Sequence, residues 1–385
     1  MTARWRSLLF LMLPVAALGL VAAGCGDSKP AAADSTADTA AAGPDISGAQ
    51  AEIDKFRAVP EFIAPGPAVD AAAAKGKKLA IIPASSNVPF VTTIADGMKS
   101  IGEKAGLEVS IFKNQGSPAE WTQGVTDAIS KGADSIDLLA GLDPKAISAQ
   151  VTQATDKGKT VVATHLYDVA QEVDPSITAA TNIPYEQAGR LLADWVVVQT
   201  GGKANVLVTV ISQVNSTVPM VAGIEDEFAT RCGDGCSVTK IDTTLADLGK
   251  LQQQVQSALT SNPDINYVIN LYDSAQAPQT AAAITALGRD DLKIATFNGT
   301  PDILKLIEPG SVIAMDVGEN LDWIAYGAID QHLRLLSGGE ATTTPNIPIR
   351  VFDETNVAEA GTPPTNGKGF GDTYQAGYEG LWGLK

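Results

Sequence analysis

The sequence predicts an α/β protein built from two doubly wound parallel-sheet lobes, and three observations carry that prediction. Short apolar runs of buried-strand length alternate with helically spaced segments from Leu79 to Ser337. The alternation passes through two similar halves in tandem. The chain has 385 residues, 45% of them hydrophobic, which is enough apolar material for two cores.

Taken in order, Met1–Gly24 reads as a targeting segment. Arg4 and Arg6 supply a positive start, Leu8–Val21 is an apolar run short for a bilayer span, and Ala22, Ala23 and Gly24 lead to Cys25. This resembles a bacterial lipoprotein signal, which implies lipidation of Cys25 and an exported, membrane-anchored protein facing the periplasm or cell exterior. A plain secretory signal and an uncleaved anchor are the alternatives. Residues 25–75 are expected to be a flexible tether and N-terminal extension. Gly26–Ala49 is rich in Ala, Ser, Thr, Asp and Gly without an apolar period, whereas Ala51–Ala74 carries Ile53, Phe56, Phe62 and Ile63.

The regular pattern begins with the strand Leu79–Ile82, which Pro83 ends for want of an N–H. Ser85, Ser86 and Asn87 form a polar loop before a helix over Val91–Ala105. Strands at Leu107–Phe112, Ser135–Leu139 and Thr160–Thr164 alternate with helices at Glu120–Lys131 and Pro144–Lys157. The second half repeats the theme with strands at Ala204–Ile211, Ser237–Ile241, Tyr267–Leu271, Lys293–Thr296 and Val312–Val317. Its helices are Tyr185–Gln199, Val218–Phe228, Leu248–Ser261, Ala275–Leu287, Ile303–Glu308 and Asp322–Ser337. Pro348–Phe352 fits an edge strand. Asp372–Trp382 fits a short helix that packs Tyr374, Tyr378, Leu381 and Trp382 on the body.

Composition excludes several functions. A formal net charge of −17 supplies no basic face for nucleic acid. Two histidines, His165 and His332, leave little for His-based metal sites, and the chain has no P-loop, Gly-x-Ser-x-Gly elbow, His-Glu-x-x-His or EF-hand loop. No cofactor is expected. Cys232-Gly-Asp-Gly-Cys236 in an exported chain favours a small disulfide over a metal or redox pair. In open α/β sheets ligands sit beyond the carboxyl ends of strands, so Ser85–Phe90 is the first candidate cleft wall.

The order of landmarks over residues 77 to about 355 resembles the type I periplasmic binding proteins of the ribose and galactose kind. The resemblance rests on Asn87-Val-Pro-Phe90, Gly124–Ala133 and Asn182 before Glu186-Gln-Ala-Gly-Arg190. It continues through Asn262-Pro-Asp264, Asp273-Ser-Ala and Phe297-Asn-Gly-Thr-Pro301. It implies two lobes joined by crossovers near Asn182, Gly318–Asn320 and Gly338, closing around a ligand. The N-terminal lobe would take residues 76–181 plus 319–338, the C-terminal lobe 182–318 plus 339–356, and the tail 357–385.

The resemblance also implies a ligand site at Ser86, Asn87, Phe90, Trp121, His165, Tyr167, Asp273, Phe297, Asn298 and Asn320. Trp121 is equally a core tryptophan, Asp273 is read first as a helix cap, and His165 stands between ligand contact and a satisfied loop residue. Where the family carries charged forks, this chain has His165, Leu166, Met220, Asn298 and Gly318, so ribose itself fits poorly and a neutral, less polar or larger ligand is expected. Arg190 is expected to pair with a nearby carboxylate. The function implied is capture of a small neutral, sugar-like ligand for an ABC permease by a monomeric, non-enzymatic receptor. The alternatives are a receptor feeding a membrane sensor and a binder of a non-sugar molecule. An enzyme on this scaffold would have to use His165 with Asp168.

Overall fold

In a computed structural model of the protein, residues 43–384 are described; the expected signal segment, Cys25 and most of the tether lie outside the described residues. The first helix among the described residues is α1 (Ile46–Arg57). A first sheet unit follows: β1 (Lys78–Pro83), α2 (Pro89–Lys104), β2 (Glu108–Ile111), α3 (Pro118–Ser130), β3 (Ser135–Leu139), α4 (Ser148–Asp156), β4 (Thr160–Asp168) and β5 (Ala179–Ile183). These five strands are all parallel, in the order β2-β1-β3-β4-β5.

The chain then enters a second unit of the same kind: α5 (Tyr185–Thr200), β6 (Asn205–Val210), α6 (Thr217–Arg231), β7 (Ser237–Asp242), α7 (Leu251–Ser261), β8 (Tyr267–Asn270) and α8 (Asp273–Leu287). It ends with β9 (Ile294–Asn298), the single turn α9 (Pro301–Leu304) and β10 (Ile313–Glu319). The next helix, α10 (Leu321–Leu336), returns to pack on α2, β4 and β5 of the first unit. β11 (Ile349–Asp353) then adds an antiparallel edge to the second sheet, ordered β11-β10-β9-β8-β6-β7. The chain therefore passes between the sheets at Pro184, at Asn320 and through residues 337–348. The two-lobed, doubly wound architecture is the one the alternating pattern predicts.

Period-two burial explains why β1 sits inside. Leu79 and Ile81 face the core shared with α2 and α10, whereas Ala80 and Ile82 face Trp121 and Val125 of α3 and Val151 of α4. Each buried Leu or Ile side chain contributes about 1.5–3 kcal/mol by leaving water. Helix ends are signalled locally: Ser117 and Glu120 form a capping box on α3, and Gly201 closes α5 at φ 62°. α5 and α6 cross through two glycines, since a Cβ on Gly189 would lie 2.1 Å from the Met220 carbonyl oxygen and one on Gly223 2.2 Å from that of Glu186.

The terminal segments do more than the sequence reading expects. Residues 46–49, expected in the flexible tether, are the first turn of α1. Asp45 caps that turn through the Gly48 N–H, and Ala49 and Ile53 are fully buried. α1 docks on α5 and β11 of the second lobe, held by Asp45 with Arg231 and by Arg57 Nε to Asp353 at 2.8 Å. The Pro-rich stretch after it crosses to the first lobe, where the Phe62 ring lies 5.9 Å from that of Trp323 and 5.1 Å from Tyr378. The tail crosses too. Phe370 packs on Phe352 of β11, and Tyr374 of the final helix, α11 (Thr373–Leu381), stacks on Trp323 at 4.5 Å. Both termini thus brace the hinge side of the two lobes.

Candidate functional site

The carboxyl ends of the two sheets face each other across a cavity of about 50 Å³. From the first lobe it is lined by Ala84, Ser85, Val88, Phe90, Val91, Ala140 and His165. From the second it is lined by Ile211, Val214, Ser216, Leu245, Tyr272, Ser274, Ala275 and Asn298. All but His165 follow or end a parallel strand or open the next helix, which is where a doubly wound sheet leaves its crevice. His165 lies inside β4, one residue past its pairing with β3, because the strand expected to stop at Thr164 runs on to Asp168. No Lys, Arg, Asp or Glu lines it.

The lobes are closed on one another. His165 Nε2 lies 2.8 Å from Glu319 Oε2 at the end of β10, and both residues are buried. Asn298 Nδ2 donates to the same carboxylate oxygen at 3.2 Å. Asn215 of the second lobe donates to the Leu166 carbonyl at 3.2 Å. A chain of rings spans the closure: Phe90 to His165 at 4.8 Å, His165 edge-on to Tyr185 at 5.2 Å, and Tyr185 to Phe297 at 6.0 Å. His165 holds a left-handed backbone conformation at φ 58° and Asn298 sits at φ 133°, uncommon angles for non-glycine residues that mark the cavity walls.

Of the ten residues singled out from the sequence, Phe90, His165 and Asn298 line the cavity. Ser86 accepts the Asn114 N–H, and the exposed Asn87 donates to Gln115 Oε1 at 2.6 Å near the mouth. Trp121 lies in the first-lobe core and donates from Nε1 to the Ala84 carbonyl at 2.9 Å, backing the wall from behind. Tyr167 is buried, which pushes its phenol up to about 12. Phe297 is wholly buried behind Tyr185, and Asn320 caps α10 by accepting the Asp322 and Trp323 N–H groups. Arg190 forks to Glu186 and Glu227 on the helix surface, as expected from the sequence.

Asp273 is fully buried at the start of α8 and accepts the Thr300 N–H, the Thr300 hydroxyl and the Ser274 N–H. Burial raises its carboxyl to about 6, against the opposing pull of the Thr300 bonds. Asp316 beside it is pushed well above the usual carboxylate range, first by burial and then by the Asp273 charge. Burial thus disfavours charge on both carboxyls, and the charge of one disfavours that of the other.

The sequence reading missed Tyr272, Tyr185, Glu319 and the apolar wall of Val88, Val214 and Leu245. Tyr272 was within reach of the strand-end rule, since it stands just past β8. Its hydroxyl is engaged by Thr217 at 2.7 Å and Ser216 at 3.0 Å. Glu319 carried no local signal, because its partners come from β4 and β9.

Two arrangements resemble catalytic sets. His165 pairs with Glu319 rather than Asp168, whose carboxylate instead accepts the Ala170 and Glu186 N–H groups. Ser135, His332 and Asp137 line up at 2.7 and 2.9 Å, yet all three are fully buried in the first lobe. That set ties α10 to β3 inside the first-lobe core. The Cys232 and Cys236 sulfurs are bonded in the structure, with Cα atoms 5.8 Å apart. Among the described residues no helix is long and apolar enough to cross a membrane, and no cluster of three or more His, Cys, Asp or Glu is placed to hold a metal ion.

Two parallel-sheet lobes closing over a strand-end cavity define the type I periplasmic binding protein class. The chain belongs to the periplasmic binding protein domain family, which matches residues 79–340. The family is one of solute-binding proteins and not of enzymes. The ribose import binding protein RbsB of Escherichia coli (strain K12) is 23% identical over 263 residues, covering 68% of this chain and 85% of RbsB. An ABC transporter solute-binding protein from Agrobacterium vitis with bound allitol superposes at TM-score 0.66 and 20% identity, covering 74% of this chain and 98% of its own. A 5-methylthioribose transporter solute-binding protein from Thermotoga lettingae gives 0.66 at 17% identity, covering 80% and 97%. Both neighbours are matched over nearly all their length, so this chain carries segments beyond the shared fold.

Proposed function

We propose that the protein is an exported, lipid-anchored, monomeric solute receptor. It captures a small uncharged, sugar-like molecule between its lobes and presents it to an ABC permease. The observation that carries this reading is the cavity, lined from both lobes at strand ends and free of charged side chains. Closing two lobes over a ligand converts binding into a shape that a permease can distinguish from the open form. Family membership supports the transport role. The small-residue run before Cys25 supports the anchor, and export would keep Cys232 and Cys236 oxidised. We read Phe90, His165 and Asn298 as ligand contacts and Asn87 as a contact at the mouth.

Native mass spectrometry of gently purified protein, followed by uptake of the identified molecule in cells with and without the gene, tests this reading. A bound small molecule whose uptake falls at least tenfold without the protein is expected. Absence of any bound molecule, together with unchanged uptake of every sugar tried, would overturn it.

A further inference from the structure

The cavity's free polar atoms specify its ligand more narrowly than the fold does; the inference rests on the solute-receptor reading above. His165 and Asn298 are each more than nine-tenths buried and line the cavity. Each already commits one nitrogen. His165 Nε2 and Asn298 Nδ2 both point at Glu319 Oε2, at 2.8 and 3.2 Å. That leaves His165 Nδ1, and on the Asn298 amide Oδ1 and the second Nδ2–H. Neither Nδ1 nor Oδ1 has a protein hydrogen-bond partner among the described residues.

The remaining polar wall is largely closed off. The Tyr272 hydroxyl bonds Ser216 and Thr217, and Ser85 Oγ donates to the Gln115 carbonyl at 3.2 Å. The Ser274 hydroxyl turns to the Asp273 carboxylate. Around these points the wall is apolar, with Val88, Phe90, Val91, Ile211, Val214 and Leu245 from the two sides.

We propose that the site selects an uncharged, partly deoxygenated or alkylated polyol, one that exchanges a few hydroxyl hydrogen bonds at one end and presents an apolar face at the other. A fully hydroxylated sugar would leave hydroxyls unpaired against Val and Leu side chains, each unpaired group losing its water without return. A sugar acid would bring an anion to a wall with no Lys or Arg. Discrimination by unpaired polar groups is the steep kind, reaching orders of magnitude in affinity.

A matched series tests it. Titration calorimetry and thermal shift with the full-length protein would compare aldopentoses and aldohexoses with their terminal-deoxy forms, their methyl glycosides and their uronic acids. D-Galactose, D-fucose and D-galacturonate, which differ only at C6, form one such set. Within whichever set binds, the deoxy or methyl member is expected at least tenfold tighter than the parent, and no acid should bind. Leu245→Ser, at a half-buried wall position, should shrink that tenfold preference to threefold or less. Tighter binding of a parent sugar or an acid, or a preference unmoved by Leu245→Ser, would overturn the inference and leave the receptor reading standing. No binding in any set would overturn both.

Discussion

His165 Nε2 and Glu319 Oε2 meet 2.8 Å apart, joining first-lobe strand β4, just past its pairing with β3, to the end of the second lobe's β10. The two residues lie 154 positions apart in sequence, and their contact forms only when both lobes are folded and closed. Both side chains are buried, so losing one partner strands the other. His165→Ala is expected to cost about 3 kcal/mol, the usual penalty for an orphaned buried charge. Urea denaturation measures it. A cycle with Glu319→Gln should show coupling of about 1 kcal/mol or more, because each change removes the same contact.

The paired acids beneath the cavity give a pH signature. Their folded-state values are raised, Asp273 to about 6 and Asp316 further. The stability they contribute is therefore fully present below the ordinary carboxylate range and is lost as pH rises through about 6. Asp316→Asn keeps the acceptor for the Gly299 N–H but removes one of the two charges. The variant should gain on the wild type between pH 5 and pH 8, by about 2 kcal/mol at the upper end. Thermal melts across that range, compared pairwise, show it; parallel curves would contradict the raised values.

The α5–α6 crossing makes a sharper steric prediction. Gly189→Ala or Gly223→Ala places a methyl group within 2.2 Å of a backbone carbonyl on the facing helix. Alanine favours a helix over glycine by roughly 1 kcal/mol, yet overpacking here should prevail and destabilise by about 1–3 kcal/mol. Chemical denaturation with an unchanged m-value is the expected readout.

The terminal brace can be tested without touching the cavity. A Cβ on Gly377 of α11 would fall 2.3 Å from the Phe62 ring, so Gly377→Ala should expel that ring from between Trp323 and Tyr378. Phe62→Ala removes the same half-buried ring outright, at about 2 kcal/mol, below the 3–5 kcal/mol of a fully buried Phe. If the two lesions are one, the double variant costs little more than either alone.

Much of the architecture was legible because doubly wound sheets write themselves twice, as strand-length apolar runs such as Leu79–Ile82 and as the helical spacing between them. Asn298 was legible at the end of β9 and Phe90 in the first turn of the helix after β1. His165 was legible at the end of the apolar run Thr160–Thr164, although β4 itself runs on to Asp168. The brace was not. α1 buries only Ala49 and Ile53 among its twelve residues, too little for an apolar stripe. Arg57 and Arg231 hold it through partners 296 and 186 positions away. Tyr185 and Glu319 were hidden likewise, because a helix start and a hinge become cavity supports only when the lobes meet.

Ligand capture by both walls at once is the central claim, and hydrogen–deuterium exchange with and without the tightest-binding sugar of the matched series tests it most directly. Amides of residues 84–91 in the first lobe and 272–275 in the second should slow together by tenfold or more. The outer edge strand β2 should stay unchanged. Protection confined to one lobe, or spread away from both walls, would contradict the account.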